Sequence, residues 1–146
     1  MRLQDQKGTA VVEFAIVAPL LFLILFGIIE FGILLYDKAM ITNASREGAR
    51  AGIVFRPNRS IESIEDENDE IVGVVSVYCA DHLISFGSGS GLSVSISRSG
   101  LEAGESLTVS VGYSFQFLVF SNLIALIGGD IGNILNLEAE TIMRLE

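Results

Sequence analysis

The sequence predicts an α+β protein built from a long N-terminal helix whose first half crosses a membrane, a second amphipathic helix, and a small antiparallel sheet of three or four strands. Three observations predict it. From Phe14 to Tyr36 the chain holds 23 residues whose only charge is Glu30. Between Ile71 and Leu83 apolar residues recur at helical spacing. From Leu92 onward they alternate with serine and threonine, as in half-buried strands.

The first element is the apolar run. At 1.5 Å rise per residue, 23 residues cross a hydrocarbon core of about 30 Å with some tilt. A cleaved secretory signal has an apolar core of only about 7–15 residues, so the run is expected to persist as a span in the mature chain. Arg2 and Lys7 precede it, and the positive-inside tendency places the N-terminus in the cytoplasm and the remainder outside it. The domains are therefore residues 1–8 as a leader, 9–36 as the transmembrane helix and 37–146 as an extracytoplasmic α+β domain. Pro19 removes one backbone hydrogen bond within the span and predicts a kink or loosened turn. Gly27 and Gly32 offer points of close approach without the four-residue repeat of a helix-dimer motif.

The body, residues 37–146, carries fifteen acidic and seven basic residues, a net charge of −8 that argues against nucleic acid or anionic lipid as its partner. Its beginning, "YDKAMITNASREGARAGIVF", extends the first helix with small residues at Ala39, Ala44, Gly48, Ala49 and Gly52, a stripe for packing against the sheet or another subunit. Arg46 and Arg50 share one face. Pro57 ends this helix, and Ser60 is placed to cap a second one from about Ile61 to Ser85. Its first turns are acidic, with Glu62, Glu65, Asp66, Glu67, Asp69 and Glu70, and its apolar face is Ile71, Val74, Val75, Tyr78, Cys79 and Leu83.

Asp66, Asn68 and Glu70 alternate as ligands do in an EF-hand loop. Ile71 then stands where that loop needs glycine, and Val77 where it needs glutamate. A solvated helix start is the reading, with a looser calcium site as the alternative. Cys79, Asp81 and His82 are ligand types, yet the chain has one Cys and one His, too few for a zinc site of about three protein ligands. No metal, cofactor or enzymatic activity is expected. Cys79 has no intramolecular disulfide partner, so it is read as a small buried side chain, with intermolecular pairing as the alternative.

"GSGSG" leads into the strands, with Leu92, Val94 and Ile96 on one face and Ser93, Ser95 and Ser97 on the other. After the turn "RSGLEAGES", Leu107, Val109, Val111 and Tyr113 alternate with Thr108, Ser110 and Gly112. "FQFLVFSNLIALIGG" is too short to cross a membrane and is read as a buried loop or short helix under the sheet, against a patch touching the membrane or the next subunit. Asn133 to Arg144 closes the domain as the last strand. The sequons at Asn43 and Asn58 carry no weight.

The head of the span adds a motif. A short polar leader, "MRLQDQKG", ends at Gly8, four residues separate it from Glu13, and Phe14 opens the uncharged run. This resembles prepilin leaders, and the resemblance implies a membrane peptidase cutting between Gly8 and Thr9, with Glu13 retained as a processing and docking carboxylate beside Phe14. An ionised side chain near the bilayer edge costs little and becomes expensive deeper without a partner. By the same resemblance, the new α-amino group of a neighbouring subunit is that partner. Residues 8–52, with "VEFA", "APL", "GIIEFG" and "REGARAG", and the C-terminal "NLEAETIMRLE", look like the TadE/TadG family of pseudopilin-like proteins.

That resemblance implies a pilin-like fold and a minor component of a tight-adherence type IV pilus machine, working in pilus biogenesis and surface adhesion from the bacterial inner membrane. Its partners would be the prepilin peptidase, other pilins or pseudopilins, the inner-membrane platform and the lipid bilayer. Glu30, 17 residues beyond Glu13 and about 25 Å along a helix, is read as an interfacial acid at the far end of the span. It either snorkels outward or pairs with a base on another subunit. The rival reading is an unprocessed, single-pass binding module that recruits an envelope partner.

Overall fold

The computed structural model describes residues 3–54, 60, 62–85, 91–126, 128–129 and 134–146, with side chains from Gly8 onward. The elements in order are α1 (Leu3–Ile53), α2 (Ile64–His82), β1 (Leu92–Arg98), β2 (Ser106–Gln116), α3 (Phe120–Leu126) and β3 (Ile134–Arg144). The architecture is α+β, as expected, with a sheet of three strands. Pro57, Asn58, the first four residues of "GSGSG" and Asn133 lie outside the described residues.

The chain forms two compact units, and α1 contributes to both. The first contains Met1–Ile33 and Phe117–Asn133. Here α1 exposes large apolar side chains around its circumference, among them Phe14, Ile16, Leu21, Ile24 and Ile28. A helix that is apolar all round belongs in a nonpolar medium. It continues through Pro19, whose missing N–H leaves the Ala15 carbonyl without its usual donor.

The second unit contains Leu34–Gln116 and Ile134–Glu146. In it α1 buries one stripe, Leu34, Asp37, Ile41, Ala44, Ser45, Gly48, Ala49 and Gly52. The expected small-residue face holds except at Ala39, which is exposed. A Cβ at Gly48 would sit 2.6 Å from Val75 Cγ2, and one at Gly52 would sit 2.5 Å from Leu107 Cδ2 and 2.6 Å from Ile71 Cδ1. The stripe therefore receives α2 and the central strand of the same unit.

In α2 the buried positions are Glu67, Ile71, Val75 and Cys79, one every four residues. Val74, Tyr78 and Leu83 are only half-buried. The helix is shorter than expected because Leu83 turns to extended backbone. Ser60 does not cap it: Ser63 precedes the first turn, and the Ser60 hydroxyl instead accepts the Ser63 N–H at 3.3 Å, closing the turn before the helix.

The sheet order is β1-β2-β3, both pairs antiparallel, with Val94 opposite Val111 and Val111 opposite Ala139. Strand β2 lies in the centre and buries Leu107, Val109, Val111, Tyr113 and Phe115. The alternate residues of β1, Ser93, Ser95 and Ser97, are exposed. The turn between β1 and β2 needs its glycine at Gly104, where φ is +93°.

The placement of α3 also differs from expectation. The segment read as lying under the sheet contains α3, and it packs in the first unit, against the apolar half of α1. Its residues lack the period-two alternation of a strand, and a glycine on α1 receives its leading ring.

Candidate functional site

The head of the span is a solvent-facing helix with a glycine and a carboxylate at fixed spacing. Gly8, Thr9, Glu13 and Phe14 all lie within α1 and are exposed. A Cβ added at Gly8 would meet nothing within 4 Å, so the glycine is not required here by packing inside the chain. Five residues of helix separate Gly8 from Glu13 by about 7.5 Å and about 140° around the axis. The peptide after Gly8 is thus helical, and hydrolysis there requires the local turn to open. Glycine costs about 1 kcal/mol relative to alanine in a helix interior, which makes this the easiest point of the turn to unwind.

Glu30 has partners that the sequence did not suggest. Its carboxylate accepts the Val119 N–H at 2.5 Å and the Phe120 N–H at 3.2 Å, and the side chain is 5% exposed. It neither snorkels outward nor meets a base in the described structure. It satisfies two backbone donors at the start of α3. One turn earlier, the Phe120 ring lies 3.0 Å from where a Cβ would stand on Gly27. Of the two glycines in the span, Gly27 is the point of close approach; nothing lies within 4 Å of a Cβ at Gly32.

The second unit holds two buried polar arrangements. Asp37 is fully buried; its Oδ1 accepts the Ile84 N–H at 3.0 Å, while Oδ2 has no hydrogen-bond partner among the described residues. Burial, and then the negative charge of Asp37, pushes the Tyr113 hydroxyl above its ordinary pKa. Farther along, Arg98 of β1 lies 3.6 Å from Glu67 and donates a hydrogen bond to the Asn68 side-chain oxygen. Glu67 is therefore buried and ion-paired, whereas Glu62, Glu65, Asp66, Asp69 and Glu70 are exposed. The acidic helix start is solvated except at that one position.

Cys79 is buried, and burial raises its thiol pKa. Asp81 and His82 are exposed, with the His82 ring stacked on Tyr78 at 4.3 Å. Among the described residues no group of three or more His, Cys, Asp or Glu side chains is placed to hold a metal ion.

The sequence singles out Gly8, Thr9, Glu13, Phe14 and Glu30 but does not indicate the partners of Glu30, Asp37 and Arg98. A partial signal existed for Arg98, a single base at the end of a serine-rich strand beside a domain with surplus acid. None existed for the pairing of Glu30 with backbone N–H groups 89 and 90 residues away.

An apolar helix with a glycine and a carboxylate at its head, followed by a small α+β body, is the architecture of a membrane-anchored domain; among the described residues, α1 is the helix long and apolar enough to cross a membrane. Residues 8–50 match the family model described as TadE-like protein, under a third of the 146-residue chain, so this N-terminal segment is TadE-like. The match begins at Gly8 and includes Thr9, Glu13, Phe14 and Glu30. No curated protein and no solved structure matches the chain.

Proposed function

We propose that the chain is a minor, pilin-like component of a tight-adherence pilus machine, processed by a prepilin peptidase and acting in pilus biogenesis and surface adhesion. The observation that carries this reading is the TadE-like match over a helix head on which Gly8, Thr9, Glu13 and Phe14 are all exposed. The peptidase cuts after Gly8. Glu13, left at the start of the helix, pairs with the α-amino group of Thr9 on a neighbouring subunit and sets the axial register. The N-terminus faces the cytoplasm and the body lies outside the inner membrane. Its role is mechanical, with no cofactor, and the chemistry belongs to the peptidase.

The intact mass of the protein extracted from its native membrane tests this. Loss of Met1 to Gly8, leaving Thr9 first, supports processing. A full-length mass, with the peptidase present and active on another substrate, overturns it and leaves an anchored binding module. Glu13→Gln separates the roles: processed chain that no longer co-purifies with other pilus subunits is the expected result.

A further inference from the structure

Residues 117–126, "FLVFSNLIAL", pack on the apolar half of α1 within the first unit. No charge occurs between Glu105 and Asp130. Leu118 is 53% exposed and Leu126 76% exposed, and neighbouring residues of α1, Ile24, Ile28 and Phe31, are exposed as well. A medium that wets those α1 side chains also reaches α3. We propose that residues 117–126 are a second membrane contact, inserted without crossing into the acyl chains of the leaflet around the C-terminal end of the span. This rests on the reading of α1 as a membrane anchor.

Depth supports it. A hydrocarbon core of about 30 Å takes about 20 residues of helix. Counted from Glu13, it ends near Ile33, which puts Glu30 about 5 Å and Gly27 about 9 Å inside that edge. The contacts at Gly27 and Glu30 hold α3 at the same level. Ten residues, eight of them apolar, cannot cross, so the segment enters and leaves on one side.

The hydrogen bonding of the segment also suits hydrocarbon, where an unsatisfied backbone group is costly. Glu30 accepts the Val119 and Phe120 N–H groups, which a helix start otherwise leaves to water. Leu123 N–H donates to Val119 O at 2.9 Å, Gly128 N–H to Ala125 O at 3.1 Å and Gly129 N–H to Ile124 O at 3.0 Å. The Asn122 amide donates to Leu118 O at 3.0 Å. Ser121 is buried. The carboxylate kept in an apolar helix thus ties the returning segment to the span.

The chain has no tryptophan, so one introduced residue reports alone. Leu126→Trp and Leu118→Trp, at exposed positions that a larger ring does not overfill, are reconstituted as full-length chains in phosphatidylcholine–phosphatidylglycerol vesicles, with Phe22→Trp in the span for comparison. The expected result at both α3 positions is blue-shifted emission, quenched several-fold more by brominated acyl chains than by aqueous iodide. Strong iodide quenching overturns the proposal. So does emission shielded from both quenchers, which means that protein, such as a second copy, covers the segment. If Phe22→Trp is quenched by bromolipid and the α3 positions are not, only this inference falls. If all three escape bromolipid, the membrane-anchor reading falls with it.

Discussion

The two halves of α1 share one backbone geometry and face different surroundings. Up to Ile33 the helix presents large apolar side chains in every direction, and most remain exposed; from Leu34 onward it buries a single stripe of small residues, with charged Arg46 and Arg50 outside. The difference lies in side-chain volume and periodicity. An apolar circumference suits a solvent that is itself apolar. A small-residue stripe, by contrast, lets α2 and β2 approach the backbone, and the burial of their larger side chains supplies the hydrophobic free energy. One continuous helix thus serves as anchor and as core element.

The most damaging change should fall in the second unit and leave the first intact. Arg98→Ala strands Glu67 in the interior, and breaking a buried pair costs about 3–5 kcal/mol. Denaturant unfolding followed by near-UV circular dichroism should show the loss, while far-UV helicity from the apolar half persists. Replacing both partners, as Glu67→Leu with Arg98→Met, should recover most of it, because no charge is then left buried. Equal damage from single and double variants would mean that the packing of the Arg98 stem, not the pairing, is what matters.

Next in size is Gly52→Val. Its Cβ would fall within 2.6 Å of both Leu107 and Ile71 side chains, and overpacking of a filled core costs about 1–3 kcal/mol. Cys79 gives an independent readout of the same unit. Buried and with its thiol pKa raised, it should resist maleimide at neutral pH in the parent protein and label faster in the variant. Rapid labelling of the parent would contradict the packing described for α2.

Glu30→Leu probes the first unit. It removes the acceptor for two backbone N–H groups of half-buried residues, where a hydrogen bond contributes a net of about 0.5–1.5 kcal/mol. The expected outcome is faster hydrogen exchange confined to residues 117–126, with the sheet unchanged. Exchange that rises equally in β2 and β3 would show that the segment is not an independent attachment.

The sequence made the span, the two long helices and all three strands legible because each carries a periodic signal several residues long. β2 is the clearest case: Leu107, Val109, Val111 and Tyr113, which alternation assigns to the core, are all buried, and the strand runs on to Gln116 through Phe115, which is read with the segment that follows. The region of α3 was harder to place. Its apolar run, broken by Gln116, Ser121 and Asn122, reads as a core loop or short helix in preference to a membrane-facing patch, and nothing local distinguishes an α1 partner from a sheet partner. Glu67 shows the other limit. Within a row of six acids, only the register of α2 against Arg98 selects the one that turns inward.

The smallest expected effects separate the two glycines of the apolar half, which look alike in sequence. Gly32→Ala meets nothing within 4 Å and should stabilise the helix by up to about 1 kcal/mol, with no change elsewhere. Gly27→Ala gains the same propensity but puts a methyl group 3.0 Å from the Phe120 ring, which must shift by a few tenths of an ångström. Part of the gain should therefore be lost there, and exchange at Phe120–Leu126 should rise slightly in Gly27→Ala alone. Identical behaviour of the two variants would mean that the ring yields freely, leaving Glu30 as the attachment that holds α3 to the span.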